Sequence, residues 1–232
     1  MDLAVILAGA GVGRRMEGPG PKALLDLDGK SLLERAALPF LRHGSVFEIV
    51  AVVPEAQLSV AREALGRVPR ERVLGARAVA GGATRRESVR IGLDAIAPGA
   101  AYVAVHDVAR PLVTTALIDR VLAAARIHGA AIPAIPFVDS VKEVDAERVV
   151  RSVPRDRLRG AQTPQIFSRA ILLRAHTQVQ ESTDATDDAA LVEALGFAVA
   201  VVSGDSSNLK ITEPSDLIVA RALIQSGMGG EN

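Results

Sequence analysis

The stretch Leu3–Met16, LAVILAGAGVGRRM, runs from an apolar segment into three alternating glycines and then two arginines. Leu3 to Leu7 is apolar at every position and therefore on both alternating faces, the pattern of a strand buried inside a parallel sheet. The turn that follows decides what kind of parallel sheet this is. A dinucleotide fingerprint needs G-x-G-x-x-G, whereas Gly9, Gly11 and Gly13 bring the third glycine one residue early, with arginines where helix packing wants small residues. No G-x-x-x-x-G-K-[ST] phosphate loop occurs either. What remains is a glycine-lined turn whose amides can approach phosphate oxygens, with Arg14, Arg15 and then Lys22 adding charge. Taken alone, a purely structural tight turn is as good a reading.

Outward from this turn, short Val/Ile/Ala-rich runs alternate with longer amphipathic stretches, the order of parallel strands joined by crossover helices. Ile49–Val53, Val73–Ala80 and Tyr102–His106 read as further buried strands. Ser31–Leu41, Glu55–Leu65, Arg85–Ile96 and Thr115–Ile127 read as the helices between them, and Ser31 with Glu34 has capping-box spacing. Ala130–Val138 reads as a strand near an edge or leaving the sheet, because Pro133 and Pro136 remove ladder donors. The expected fold is α/β, a mostly parallel twisted sheet flanked by helices, in a single domain over 1–232.

The pattern breaks at 139–155, where charges mix with isolated valines and no continuous buried face exists. This segment reads as a protruding arm whose period-2 valines, Val149 and Val153, would be buried only against a partner chain. An ordinary long surface loop fits the residues equally well. Beyond it the chain returns to helix at Ser168–Gln178 and Asp187–Leu195, strand at Ala198–Val202, and helix at Pro214–Ile224, with Pro214 suited to a first helical position.

Composition narrows the function. Lysine plus arginine and aspartate plus glutamate are balanced at 27 each, so no global field draws nucleic acid or an anionic membrane, and aromatics are too scarce for base stacking. The chain has no cysteine, which excludes disulfides and thiol chemistry and fits a cytoplasmic protein. The amino terminus breaks into glycines long before a membrane-spanning length.

Three further motifs bear on a site. Gly81, Gly82 and Ser88 in GGATRRESV follow the third strand and open a helix, at the same carboxyl edge as the first loop. In HDVARP, Asp107 and Arg110 either pair with one another or meet a ligand, and His106 reads as a satisfied core histidine. Lys210 in NLKIT sits between apolar Leu209 and Ile211; on a strand it would face solvent, but it also precedes a helix start, a common place for phosphate contacts.

LAGAGVGRRM, Pro21-Lys22, GG with RRESV, HDVARP, DSVK at 139–142, TPQIF at 163–167, TDDA at 186–189 and NLKIT at 208–212 together resemble the 2-C-methyl-D-erythritol 4-phosphate cytidylyltransferase family, in order, from Leu3 to about Arg221. The resemblance implies a Rossmann-like nucleotidyltransferase fold, an interlocking β-arm that makes a homodimer, and transfer of CMP from CTP to methylerythritol phosphate with Mg2+. Position by position it implies that Arg15, Lys22 and Lys210 contact the triphosphate. Ala8, Gly9, Ala10, Gly11, Gly13, Gly82 and Ser88 would hold the nucleotide. Asp107, Arg110, Ser140 and Arg155 would meet the acceptor, Arg155 reaching the neighbouring subunit's site. Ser140 stands where the family usually carries threonine, keeping the hydroxyl, and Ala83 stands where an acidic residue is common. A ribitol 5-phosphate cytidylyltransferase shares the glycine loop and both lysines and is the alternative; GRRM, HDVARP and Lys142 after DSV fit the methylerythritol enzyme better.

Overall fold

The computed structural model describes residues 1–11, 22–68, 73, 75–180 and 185–228, with Lys22 described by its backbone alone. β1 (Leu3–Ala8) is followed by a 3-10 turn at Lys22–Leu24, a two-strand ribbon of β2 (Asp26–Leu27) and β3 (Lys30–Ser31), then α1 (Leu32–Arg42) and β4 (Val46–Val53). A 3-10 turn at Glu55–Gln57 opens α2 (Leu58–Arg67), followed by β5 (Gly75–Ala80), α3 (Arg85–Ala95), β6 (Tyr102–Asp107), α4 (Thr115–His128) and β7 (Ala130–Pro136). The remaining elements are β8 (Val141–Asp145), β9 (Arg148–Val153), β10 (Arg159–Ala161), β11 (Gln165–Ser168), α5 (Arg169–Gln178), α6 (Asp188–Ala194), β12 (Ala200–Ser203) and α7 (Pro214–Gln225).

Local chemistry explains where these elements begin. Ser31 caps α1 by accepting the Glu34 N–H, while the Glu34 carboxylate accepts the Ser31 N–H at 2.8 Å, the reciprocal box expected from the spacing. Thr84, Thr114, Ser168 and Asp187 accept an N–H in the same way at the starts of α3, α4, α5 and α6. Pro214 is the first residue of α7, where its missing N–H costs nothing.

β1 lies between β4 and β6, parallel to both, and β5 extends the sheet beyond β4. On the other side β11 runs antiparallel to β6 and to β7, β10 also pairs antiparallel with β7, and β12 runs parallel to β7. β1, β4, β5, β6, β7 and β12 therefore end on one edge. The chain goes outward from β1 to β4 and β5, then crosses back to β6 on the other flank of β1, which makes the carboxyl end of the β1/β6 pair a topological switch point. Alternate residues of β1 feed two cores: Leu3, Val5 and Leu7 pack on the side of α1, α2, α4 and α7, and Ala4 and Ile6 on the side of α3, α5 and α6.

Three expectations need correction. β5 starts at Gly75 rather than Val73. The segment 55–57 is a 3-10 turn ahead of the helix. β7 is interior and not an edge: β12 covers one side and β10 with β11 the other. Pro133 is tolerated because it faces the gap between β10 and β11, where its carbonyl accepts the Gln162 N–H at 2.8 Å and its absent donor breaks no ladder. The 139–155 segment forms a two-stranded antiparallel hairpin, β8 with β9, forming a sheet of its own. Val144, Val149 and Val150 are all exposed on it.

His106 is the core histidine the sequence suggested. It is fully buried, its ring meets Phe40 with centroids 5.2 Å apart, Nε2 lies 3.0 Å from the Arg110 carbonyl, and Nδ1 lies 3.0 Å from the Thr163 hydroxyl. Burial pushes its pKa down from 6.5 to about 4. The folded state thus prefers the neutral ring: below pH 6.5 the unfolded chain takes up a proton the folded one refuses, and stability falls until about pH 4. The loss approaches about 3 kcal/mol. Urea unfolding between pH 7 and pH 4 should show this slope in the wild type and a flatter one in His106→Gln; equal slopes would remove His106 as its source.

Candidate functional site

The carboxyl edge brings four segments together. β1 runs out into Gly9–Gly11, β5 into Gly81, Gly82 and the start of α3, β6 into Asp107, and the loop after β12 returns Lys210 ahead of α7; together they wall a cleft of about 520 Å3. Of the residues singled out from sequence, Ala8, Gly9, Ala10, Gly11, Gly82, Ser88, Asp107 and Lys210 are on this wall, and Arg110, Ser140 and Arg155 are not. Gly13 and Arg15 lie outside the described residues, as does the side chain of Lys22, whose backbone opens the 3-10 turn at 22–24.

Two backbone groups of the glycine loop are already used by the fold: the Gly9 N–H donates to Val52 O at 2.8 Å, and the Ala8 carbonyl accepts from the Val108 N–H at 3.1 Å. Those two groups hold the loop to the sheet, while Ala8, Gly9, Ala10 and Gly11 all line the cleft. Gly81 lets the end of β5 close on the loop, since a Cβ there would lie 2.6 Å from the Ala10 Cβ and 2.8 Å from the Ser88 Oγ. Ser88 is buried; its hydroxyl donates to the Thr84 carbonyl at 2.8 Å and accepts the Gly82 N–H at 3.1 Å. It shapes the Gly82 turn first, and only its remaining lone pair faces other partners.

Asp107 organises the opposite wall. Its Oδ2 accepts from the Lys210 Nζ at 2.7 Å, and its Oδ1 lies 3.4 Å from Arg85 Nη2. Burial pushes the carboxyl up, but the charges of Arg85 and Lys210 outweigh it and hold the pKa at about 2. The Asp107 N–H donates to the Thr163 hydroxyl at 3.0 Å, fixing the strand end. Arg110, three residues on, does not pair with Asp107. It donates from Nη1 to the Asn208 carbonyl at 2.7 Å and from Nη2 toward the Ala161 carbonyl.

That contact pins the loop that carries Lys210. Gln162 accepts the Asp205 N–H at 3.0 Å and donates to the Asp205 carbonyl at 2.7 Å, Asn208 donates to the Thr163 carbonyl at 2.9 Å, and the Ile211 N–H donates to the Ala109 carbonyl at 2.8 Å. Lys210 thus stands on a tied loop and not on a strand, with its side chain 45% exposed toward the cleft. Ser140 and Arg155 flank the hairpin, immediately before β8 and just after β9, both exposed.

Sequence reading missed Arg85, which is on the cleft wall and bridges Asp107 to the buried Asp188. The signal was present: Arg85 and Asp188 each lie inside a quoted motif, RRESV and TDDA, at the first position of a helix. Their partnership spans 103 residues and leaves no local pattern.

The family model for 2-C-methyl-D-erythritol 4-phosphate cytidylyltransferase matches residues 3–226. A protein of that name from Frankia casuarinae is 42% identical over 224 residues, covering 96% of this chain and 81% of its own. The crystal structure of 2-C-methyl-D-erythritol 4-phosphate cytidylyltransferase from Thermus thermophilus superposes with a TM-score of 0.78 at 38% identity, covering 97% of this chain and 100% of that one. A 4-diphosphocytidyl-2C-methyl-D-erythritol synthase from Anaerococcus prevotii gives a TM-score of 0.83 at 29% identity, with 96% of each chain covered. With nearly its whole length matched, the chain belongs to the 2-C-methyl-D-erythritol 4-phosphate cytidylyltransferase family.

Proposed function

We propose that the cleft transfers CMP from CTP to 2-C-methyl-D-erythritol 4-phosphate, giving 4-diphosphocytidyl-2-C-methyl-D-erythritol and pyrophosphate. The observation that carries this reading is Lys210, held on a tied loop against the same cleft that the glycine loop, Gly82 and Ser88 wall. An acceptor phosphate oxygen attacks the α-phosphorus in line; a new P–O bond forms as the α–β bond breaks, and pyrophosphate leaves. The attacking monoester is already ionised at neutral pH, so no general base is required. The barrier lies in bringing two anions together, and fixed cations aimed at the α-phosphate's oxygens lower it. Lys210, with Arg15 and Lys22 from the glycine loop, takes that role, and Ala10, Gly11 and Gly82 enclose the cytosine side.

Asp107, Arg110, Ser140 and Arg155 are assigned to the acceptor. Arg110 reaches it from its present bonds to the Asn208 and Ala161 carbonyls; Ser140 and Arg155 do so across a homodimer in which the hairpin of one copy covers the cleft of another. The exposed Val144, Val149 and Val150 supply an apolar surface for that contact.

Among the described residues no three His, Asp or Glu side chains converge, and Asp107 is the one carboxylate among the described residues of the wall. This donor set fits Mg2+ carried in on the CTP phosphates rather than caged by the chain. The ion supplies charge neutralisation on the phosphate oxygens. No described helix is long and apolar enough to cross a membrane, and the absence of cysteine accords with a cytoplasmic site of action.

Pyrophosphate release with CTP, Mg2+ and methylerythritol phosphate, set beside ribitol 5-phosphate and beside ATP, GTP and UTP, tests the reading. Release confined to CTP with methylerythritol phosphate supports it, and release with ribitol 5-phosphate instead moves the acceptor. Lys210→Ala or Lys22→Ala should lower kcat by about a hundredfold or more, the scale of a lost transition-state contact; near-normal turnover in either variant removes that lysine from its role. Arg155→Ala should raise the KM for the acceptor more than that for CTP, and an equal effect on both would detach the hairpin from the acceptor side.

A further inference from the structure

Behind the cleft wall lies a line of side chains that the transfer reaction does not itself call for. Arg85, the first residue of α3, bridges two carboxylates: Nη2 lies 3.4 Å from Asp107 Oδ1 and Nη1 lies 2.7 Å from Asp188 Oδ2. The Asp188 side chain is 1% exposed, and its other oxygen lies 3.0 Å from Nε2 of His176, which is 0% exposed. The His176 Nδ1 has no hydrogen-bond partner among the described residues, so Asp188 is the ring's polar contact. The order from interior to cleft is His176 (α5), Asp188 (α6), Arg85 (α3), Asp107 (end of β6), Lys210 (loop before α7).

A buried carboxylate is costly and a poor source of net stability even when paired, so this arrangement calls for a different explanation. The Lys210 ammonium has three donors and one is used on Asp107, so a phosphate that draws on the others shares its charge and weakens its hold on Asp107. Asp107, itself almost buried, then depends more on Arg85, its other ion-pair partner. An arginine free to follow the phosphate would strip Asp107 of that partner as well; one tied at its other end would not.

We propose that Asp188 is a positioning residue: it fixes Arg85 from behind, and Arg85 keeps Asp107 oriented and charge-paired while Lys210 serves the nucleotide. The inference rests on the cytidylyl-transfer reading only for what Lys210 turns toward. Burial raises the Asp188 carboxyl, yet the charge of Arg85 and the His176 contact bring it below its ordinary value; burial likewise opposes the Arg85 charge, and the two carboxylates more than restore it. The charged or titratable groups facing Asp107 are Arg85 from α3, Lys210 from the loop before α7, His106 from β6 and Arg110 just beyond it.

The experiment uses the full-length protein and three variants, Asp188→Asn, Arg85→Lys and Arg85→Ala, with kcat and both KM values measured and folding checked by Tm. The Arg85 Nε–H resonance in 15N-labelled protein gives a readout that needs no turnover. Asp188→Asn should lower kcat about tenfold while KM values hold within about threefold, the mark of a contact that matters in the transition state. Arg85→Ala, which removes the guanidinium itself, should lower kcat at least as far as Asp188→Asn does. The Arg85 Nε–H signal should be sharp in the wild type and broadened in Asp188→Asn. If Asp188→Asn only lowers Tm, leaving kcat and the arginine signal unaltered, the proposal is overturned. Should that variant not fold, wild-type kcat in Arg85→Lys overturns it equally. A wild type without pyrophosphate release sinks the transfer reading, and the arginine signal then decides the positioning claim alone.

Discussion

A single carboxylate with a cation on each oxygen ties together the wall of the cleft. Asp107 sits where β6 leaves the sheet, and the groups it joins come from far apart: Arg85 at the head of α3 and Lys210 on the loop before α7. Parallel strands make such a meeting possible because their carboxyl ends share one edge, and the return of the chain from β5 to β6 opens a crevice there. Thr163 fixes the Asp107 backbone from β11's side, so the anchor belongs to the sheet and not to a loop. The cations differ in their freedom. Lys210 has a flexible stem and is 45% exposed, whereas the Arg85 guanidinium is held at two points. One is suited to follow a substrate, the other to stay.

Much of this architecture was legible because buried parallel strands declare themselves as unbroken apolar runs. Leu3–Leu7, Ile49–Val53 and Tyr102–His106 lie within β1, β4 and β6, and Ser31–Glu34 marked the start of α1 correctly. The reading failed at Pro133, where a rule about donors was applied without the partner strand. A proline is excluded from a sheet interior only where the ladder needs its N–H, and Pro133 falls between the residues that β10 and β11 pair, Ala134 and Ala131. Which strands neighbour which is not a property of any window of sequence.

The site divides along the same line. Glycines, Ser88, Asp107 and Lys210 were found because each lies in a short motif at an element's end, and the sheet direction gathers such ends. Arg85, Asp188 and His176 escaped because their chemistry lies in pairing across 103 and 12 residues, and a charged residue at a helix start reads as an ordinary cap or a solvated face. Arg110 shows the converse. Its motif was recognised, yet its present bonds run to backbone carbonyls of the loop that bears Lys210, so it shapes the site before it touches any ligand.

The hairpin at 141–153 follows a different logic from the rest of the chain. Two strands alone are marginal in water, and this pair carries exposed valines at Val144, Val149 and Val150, beside a register shift in its ladder. Its ends are fixed by β7, whose Ile135 and Pro136 pair with Gly160 and Arg159, so the hairpin projects from an interior strand with a rigid base. Because β7 points the same way as β1 and β6, the hairpin leaves from the edge that carries the cleft. The homodimer proposed above would carry the hairpin to the corresponding edge of a second copy, where its exposed valines, set among charged neighbours, would be covered.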